Sequence, residues 1–183
     1  GKLLNSIKNT LSKYFLGSFS LVKMMDEARK ILVDLEIELI EKREEFEDAV
    51  DKINDQIDQL RGGMDRNKIV ALNKDRDSKV KEFESYKKVQ QMKIKKAKSV
   101  ISDMVRKNAR LKEYYEAGRA EDEIGLAELE YKMAKDKADS SELKKYEDAI
   151  KQKQKEAEEK AEELRRETEE REKEAKQNPS ADV

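Results

Sequence analysis

The sequence predicts an all-α protein: an elongated antiparallel helical hairpin or coiled coil, opened by a short amphipathic helix and closed by a highly charged helix. Three observations carry that prediction. Of the 183 residues, 45% are charged and 36% hydrophobic, with one Pro and six Gly. A compact domain of this length needs more apolar matter and more turn residues, and this composition is that of long helices and coiled coils. Apolar residues recur every seven positions along several stretches, which describes a seam facing a partner helix and argues against disorder. Finally, the adjacent glycines Gly62 and Gly63 separate the two longest stretches, where a turn belongs.

Residues 1–20 form the first element. Leu3, Leu4, Ile7, Leu11, Tyr14 and Phe15 fall on one side of a helix, while Lys2, Lys8 and Lys13 fall mostly on the other, with no acid in the segment. Residues 21–117 form the long hairpin with its turn at 61–65. In its first arm, 22–60, Met25, Leu32, Leu39, Phe46, Ile53 and Leu60 keep a strict spacing of seven, in a helix roughly 58 Å long at about 1.5 Å per residue. Asp65 is the expected N-cap of the second arm, 66–116. There Val80, Lys87, Ile94, Ile101, Asn108 and Tyr115 alternate with Phe83, Gln90, Ala97, Met104 and Leu111 as a heptad. Lys87, Gln90 and Asn108 read as polar insertions that cost stability and fix register.

A break is expected at Ala117-Gly118-Arg119-Ala120, and a charged helical extension over 118–177. Leu126, Leu129 and Met133 give a helix over 121–139, with Gly125 weakening its start. Leu143, Ile150, Ala157 and Leu164 resume the seven-residue spacing. Residues 151–177 hold 9 basic and 10 acidic side chains, a self-pairing, solvated helix. Residues 178–183 read as a flexible tail.

Charge separates the hairpin arms. Residues 22–60 carry 6 basic and 13 acidic side chains, net −7, and residues 79–113 carry 12 basic and 4 acidic, net +8. An acidic arm laid against a basic one selects partner and orientation. Each exposed pair is worth only a few tenths of a kcal/mol, so folding must come from the seams. The residues expected to pack them are Leu32, Leu39, Phe46, Ile53, Leu60, Ile94, Ile101, Met104 and Leu111.

Two surfaces are candidates for binding. Leu3, Leu4, Ile7, Leu11 and Phe15, with Lys8 and Lys13, suit an anionic membrane or a protein partner. Lys87, Lys88, Lys93, Lys95, Lys96, Arg106, Lys107 and Arg110 suit phosphate anions, including nucleic acid. The nearby aromatics are not interleaved with these charges as a stacking platform needs, and the acidic arm is the better match.

No catalytic, cofactor or metal site is expected. The chain has no Cys and no His, and it carries no phosphate-binding loop, dinucleotide turn or calcium-loop spacing. No small-molecule substrate is implied, and the expectation is not an enzyme. No apolar run reaches the 18 or so residues of a membrane span, and the opening segment is broken up by Asn5, Ser6, Lys8 and Asn9, unlike a signal peptide. An intracellular or virion-associated location is expected over a secreted one.

The order of parts, 1–16, 22–60, 66–116 and 119–177, resembles that of the bacterial phage-shock-protein A and ESCRT-III-like membrane-remodelling group. That architectural resemblance implies lipid binding by the opening helix and polymerisation on membranes. The residues themselves favour a scaffold or tether that homo-oligomerises through its seams and engages other proteins through its ends. Peripheral membrane remodelling through residues 1–20, and nucleic-acid binding through 79–113, are the alternatives.

Overall fold

A computed structural model describes Asn5, Lys8, Asn9 and residues 19–177. Of these, 93% are helical, in four helices with no strand, so the chain is all-α. We label the helices α1 (Phe19–Leu60), α2 (Arg66–Lys107), α3 (Ala109–Ala134) and α4 (Ser140–Gln177). Leu3, Leu4, Ile7, Leu11, Lys13 and Phe15 lie outside the described residues, as does the tail 178–183; Lys8 is described and helical.

The α1–α2 turn forms where the glycines place it. Arg61 N–H donates back to the Ile57 and Asp58 carbonyls, at 3.1 and 3.3 Å, closing α1. Gly62 then takes φ +91°, a left-handed conformation in which a Cβ would collide with its own backbone. Asp65 directly precedes α2, and its carbonyl accepts the N–H of Ile69 at 3.3 Å, as a residue at the N-cap position does.

The next boundaries differ from those the periodicity suggests. Asn108 is not an inward-facing residue of one helix over 66–116. It has extended backbone (φ −149°, ψ 110°) and its side-chain oxygen accepts the Arg110 N–H at 3.1 Å, capping α3. Asn satisfies an orphan helix-terminal donor well and is a poor occupant of an apolar seam. Nor does the chain break at 117–120: Ala117, Gly118, Arg119 and Ala120 all lie within α3. The third break comes after Ala134. Asp139 Oδ1 accepts the Glu142 N–H at 2.9 Å and its carbonyl accepts Leu143 N–H at 3.0 Å, so Ser140-Ser141-Glu142 is a helix start.

The chain divides into two units, residues 1–31 with 99–183, and residues 32–98. In the second unit, side chains of α1 meet side chains of α2 at several points. Gln90 Nε2 donates to the Leu35 carbonyl at 2.9 Å and to Glu38 at 3.0 Å. Phe46 stacks on Phe83 with ring centroids 4.7 Å apart and planes 6° from parallel. Arg76 donates to Asn54 Oδ1 at 2.8 Å. Leu32, Ile40, Ile53 and Ile57 are the buried apolar residues here, with Gln90 buried among them.

In the first unit, α4 returns along α3. Arg171 donates to both Glu113 oxygens, at 2.7 and 3.2 Å. Lys160 pairs with Glu116 at 2.7 Å and Lys153 with Glu123 at 3.2 Å. Ala157 and Leu164 supply the buried face of α4. Met25, Ile101, Leu111, Tyr114 and Ala117 complete the apolar core of this unit.

Candidate functional site

A buried polar network in the first unit is the most built feature of the chain. On α1, Arg29 lies four residues after Met25 and three before Leu32, so helical geometry puts it on the buried face; it is 6% exposed. A guanidinium at such depth needs every donor matched. Its Nε and Nη2 grip both oxygens of Asp122 at 3.0 and 2.8 Å, a bidentate pairing. Nη2 also donates to the Gly118 carbonyl at 2.8 Å, and Nη1 to Asp26 Oδ1 at 3.3 Å. The Tyr114 hydroxyl, on a fully buried ring, donates to the same Asp26 oxygen. Lys8 reaches the other Asp26 oxygen at 2.9 Å. Two cations and two carboxylates thus balance, and among the described residues no buried side-chain nitrogen or oxygen lacks a partner.

Gly118 makes this arrangement possible. A Cβ built there would lie 2.2 Å from Arg29 Cζ and 2.4 Å from its Nη1. The glycine is where α3 lets the guanidinium reach its backbone. Burial pushes the Asp122 carboxyl above the ordinary aspartate range, against the pull of Arg29. Burial first, then the hydrogen bond to Asp26, raises the Tyr114 phenol well above the usual tyrosine range. The network therefore joins α1 to α3 in one register.

The sequence reading missed this cluster. Arg29 was legible as a charge among the seam positions, since arginine is almost never fully buried unless paired. Its partners lie 89 and 93 residues away, and no spacing rule finds them.

A groove of about 370 Å³ runs beside α3 and α4, lined by Tyr115, Glu116, Arg119, Ala120, Glu123, Lys153, Glu156 and Lys160. Its cations are held by its own carboxylates: Lys160 by Glu116, and Lys153 and Arg119 by Glu123. The hydrogen bond from Lys160 to Glu116 raises the ammonium's pKa further. Among the described residues no acidic cluster is arranged to hold a metal ion, and no helix is long and apolar enough to cross a membrane.

The seam candidates fall into two grades. Leu32, Ile53, Ile101 and Leu111 are buried, whereas Leu39, Phe46, Leu60, Ile94 and Met104 are half-buried. Of the anion candidates, Lys87, Lys88, Lys93, Lys95 and Lys96 lie exposed on α2 within the second unit. Arg106 and Lys107 end α2, Arg106 paired with Asp103. Arg110 is half-buried and belongs to α3, so the eight do not form one continuous helical stripe.

Comparison of the chain with protein-family models, with curated proteins and with solved structures gives no match.

Proposed function

We propose that the chain is a non-enzymatic structural protein, an antiparallel helical hairpin that self-associates through its coiled-coil seams and acts as a scaffold or tether. The observation that carries this reading is the unfinished seam of the second unit. Leu39, Phe46, Leu60, Phe83 and Ile94 hold heptad positions yet keep part of their surface in water. Large apolar side chains left half-covered at regular spacing gain by meeting another helix. The order of the pairs Leu35–Gln90, Phe46–Phe83 and Asn54–Arg76 supports the antiparallel hairpin. Lys42 over the Tyr86 ring, 5.6 Å from its centre, adds a polar contact of the same register.

Lys8 bears on the opening segment. Its pairing with Asp26 favours a protein contact over a lipid headgroup for that lysine.

Light scattering on the full chain across concentration tests the proposal. The expected mass is a multiple of the 21.3 kDa chain. A 21.3 kDa particle at every concentration overturns it. Flotation on anionic vesicles with Leu11→Asp as control separates the membrane alternative: flotation lost in the variant and an unassembled chain in solution would replace the scaffold reading.

A further inference from the structure

We infer that the second unit carries two charge-complementary outer faces, a lysine face on α2 and a carboxylate face on α1, through which one copy of the chain docks laterally on the next. The inference deepens the assembly reading and rests on it.

Helical geometry defines both faces. Lys81, Lys88 and Lys95 each stand two residues before a heptad position, Phe83, Gln90 and Ala97. Two residues turn an α-helix by roughly 200°, so these lysines point away from α1. Asp34, Glu41, Asp48 and Asp55 each stand two residues after Leu32, Leu39, Phe46 and Ile53, and point away from α2 by the same rotation. Both lines repeat every seven residues, about 10.5 Å along the helix, so an acid line can meet a lysine line tooth for tooth.

Asp48 is half-buried and partnered, but the other charges on these lines are not consumed among the described residues. Lys81, Lys88, Lys95, Asp34, Glu41 and Asp55 are all exposed, and none makes an ion pair among the described residues. Elsewhere cations are taken up locally, as Lys42 by Glu45, Arg43 by Glu47 and Lys79 by Asp75. Between 89 and 98 there are four lysines, Lys93, Lys95, Lys96 and Lys98, with no acid three or four residues from any of them, whereas Lys88 has Glu84 four residues before it. Met92, four residues after Lys88 and three before Lys95, is 71% exposed. It gives the basic face an apolar centre that a docked helix would cover.

The occupant this pattern fits is another copy. Each chain holds both faces, so the contact is heterologous: the lysine face of one copy meets the acid face of the next, leaving a free face at each end. Such contacts form rings or open filaments. Single exposed pairs contribute little, but a periodic row sums and sets register, and it weakens with salt.

Charge reversal in trans tests this. Lys88→Glu/Lys95→Glu makes both faces acidic, and Glu41→Lys/Asp55→Lys makes both basic. Circular dichroism checks that each full-length variant keeps its helicity. In sedimentation velocity, each variant alone should associate at least about tenfold more weakly than wild type, and an equimolar mixture should recover association. Unchanged association in both variants overturns the docking faces while the assembly reading stands. A wild-type chain that stays monomeric removes both. Duplex DNA or anionic vesicles bound by wild type and lost in the lysine variant, with self-association intact, would assign the face to a polyanion and overturn the inference.

Discussion

The two units solve the same problem, joining helices that have little apolar surface, by opposite means. The second unit relies on shape: a row of aliphatic and aromatic residues, Phe46 on Phe83, and one buried amide, Gln90. The first also has an apolar core, but its joint between α1 and α3 is ionic, with Arg29 held by Asp122, Gly118 and Asp26. In the second unit the bonded Gln90 marks the register, whereas an apolar seam by itself tolerates sliding, because a neighbouring heptad offers a similar surface. A buried ion network does not, since a shift of one turn strands a guanidinium without partners.

The largest expected effect lies in the ionic joint. Arg29→Ala removes both hydrogen bonds that the Asp122 carboxylate accepts in a largely buried site, and the loss of stability should be roughly 3–5 kcal/mol, the usual cost of removing one member of a buried pair. Chemical denaturation measures it. In the second unit Ile53→Ala removes a buried side chain from the seam and should cost about 2–4 kcal/mol. If Arg29→Ala cost less than Ile53→Ala, the contrast between the units would have to be redrawn.

A pair of glycines sharpens the comparison. Gly118 and Gly125 both lie in α3, where Ala is intrinsically better by about 1 kcal/mol. At Gly125 a Cβ meets nothing within 4 Å, so Gly125→Ala should stabilise by about 0.5–1 kcal/mol. Gly118→Ala displaces Arg29 from its hydrogen bonds and should destabilise by about 1–2 kcal/mol. In an Arg29→Ala background the same change should turn stabilising, and thermal melts of the four-way cycle read the reversal.

The smallest effect is in pH. Because burial raises the Asp122 pKa in the folded chain, the native state holds this proton more tightly than the unfolded one. Its contribution to stability is therefore full below the ordinary aspartate pKa and is lost as pH rises through the raised folded value. The stability difference between wild type and Asp122→Asn should fall with rising pH across that window. A difference that grew with pH would mean the Arg29 pairing outweighs burial.

The helical class was legible from composition and period, and the α1–α2 turn from Gly62 and Gly63. The joints were not. Asn108 fits a heptad position as well as it fits a cap, and only backbone geometry separates the two. Gly118 reads as a break because the reason for it, Arg29, is 89 residues away. The start of α4 carried a usable signal: Asp139 with Glu142 three residues on is close to a capping box. Arg29 itself was visible as a charge out of place on an apolar stripe, but Asp122, Tyr114 and Asp26 are its partners through three-dimensional packing alone.

The claim that most needs a direct reading is that copies of this chain meet each other. Equal amounts of isotopically light and heavy chain, mixed and treated with a carbodiimide that joins lysine to carboxylate at zero length, answer it by mass spectrometry. The account predicts mixed light–heavy links, concentrated between Lys81, Lys88 or Lys95 and Asp34, Glu41 or Asp55. Links found only within single chains, at concentrations where wild type is abundant, would contradict it.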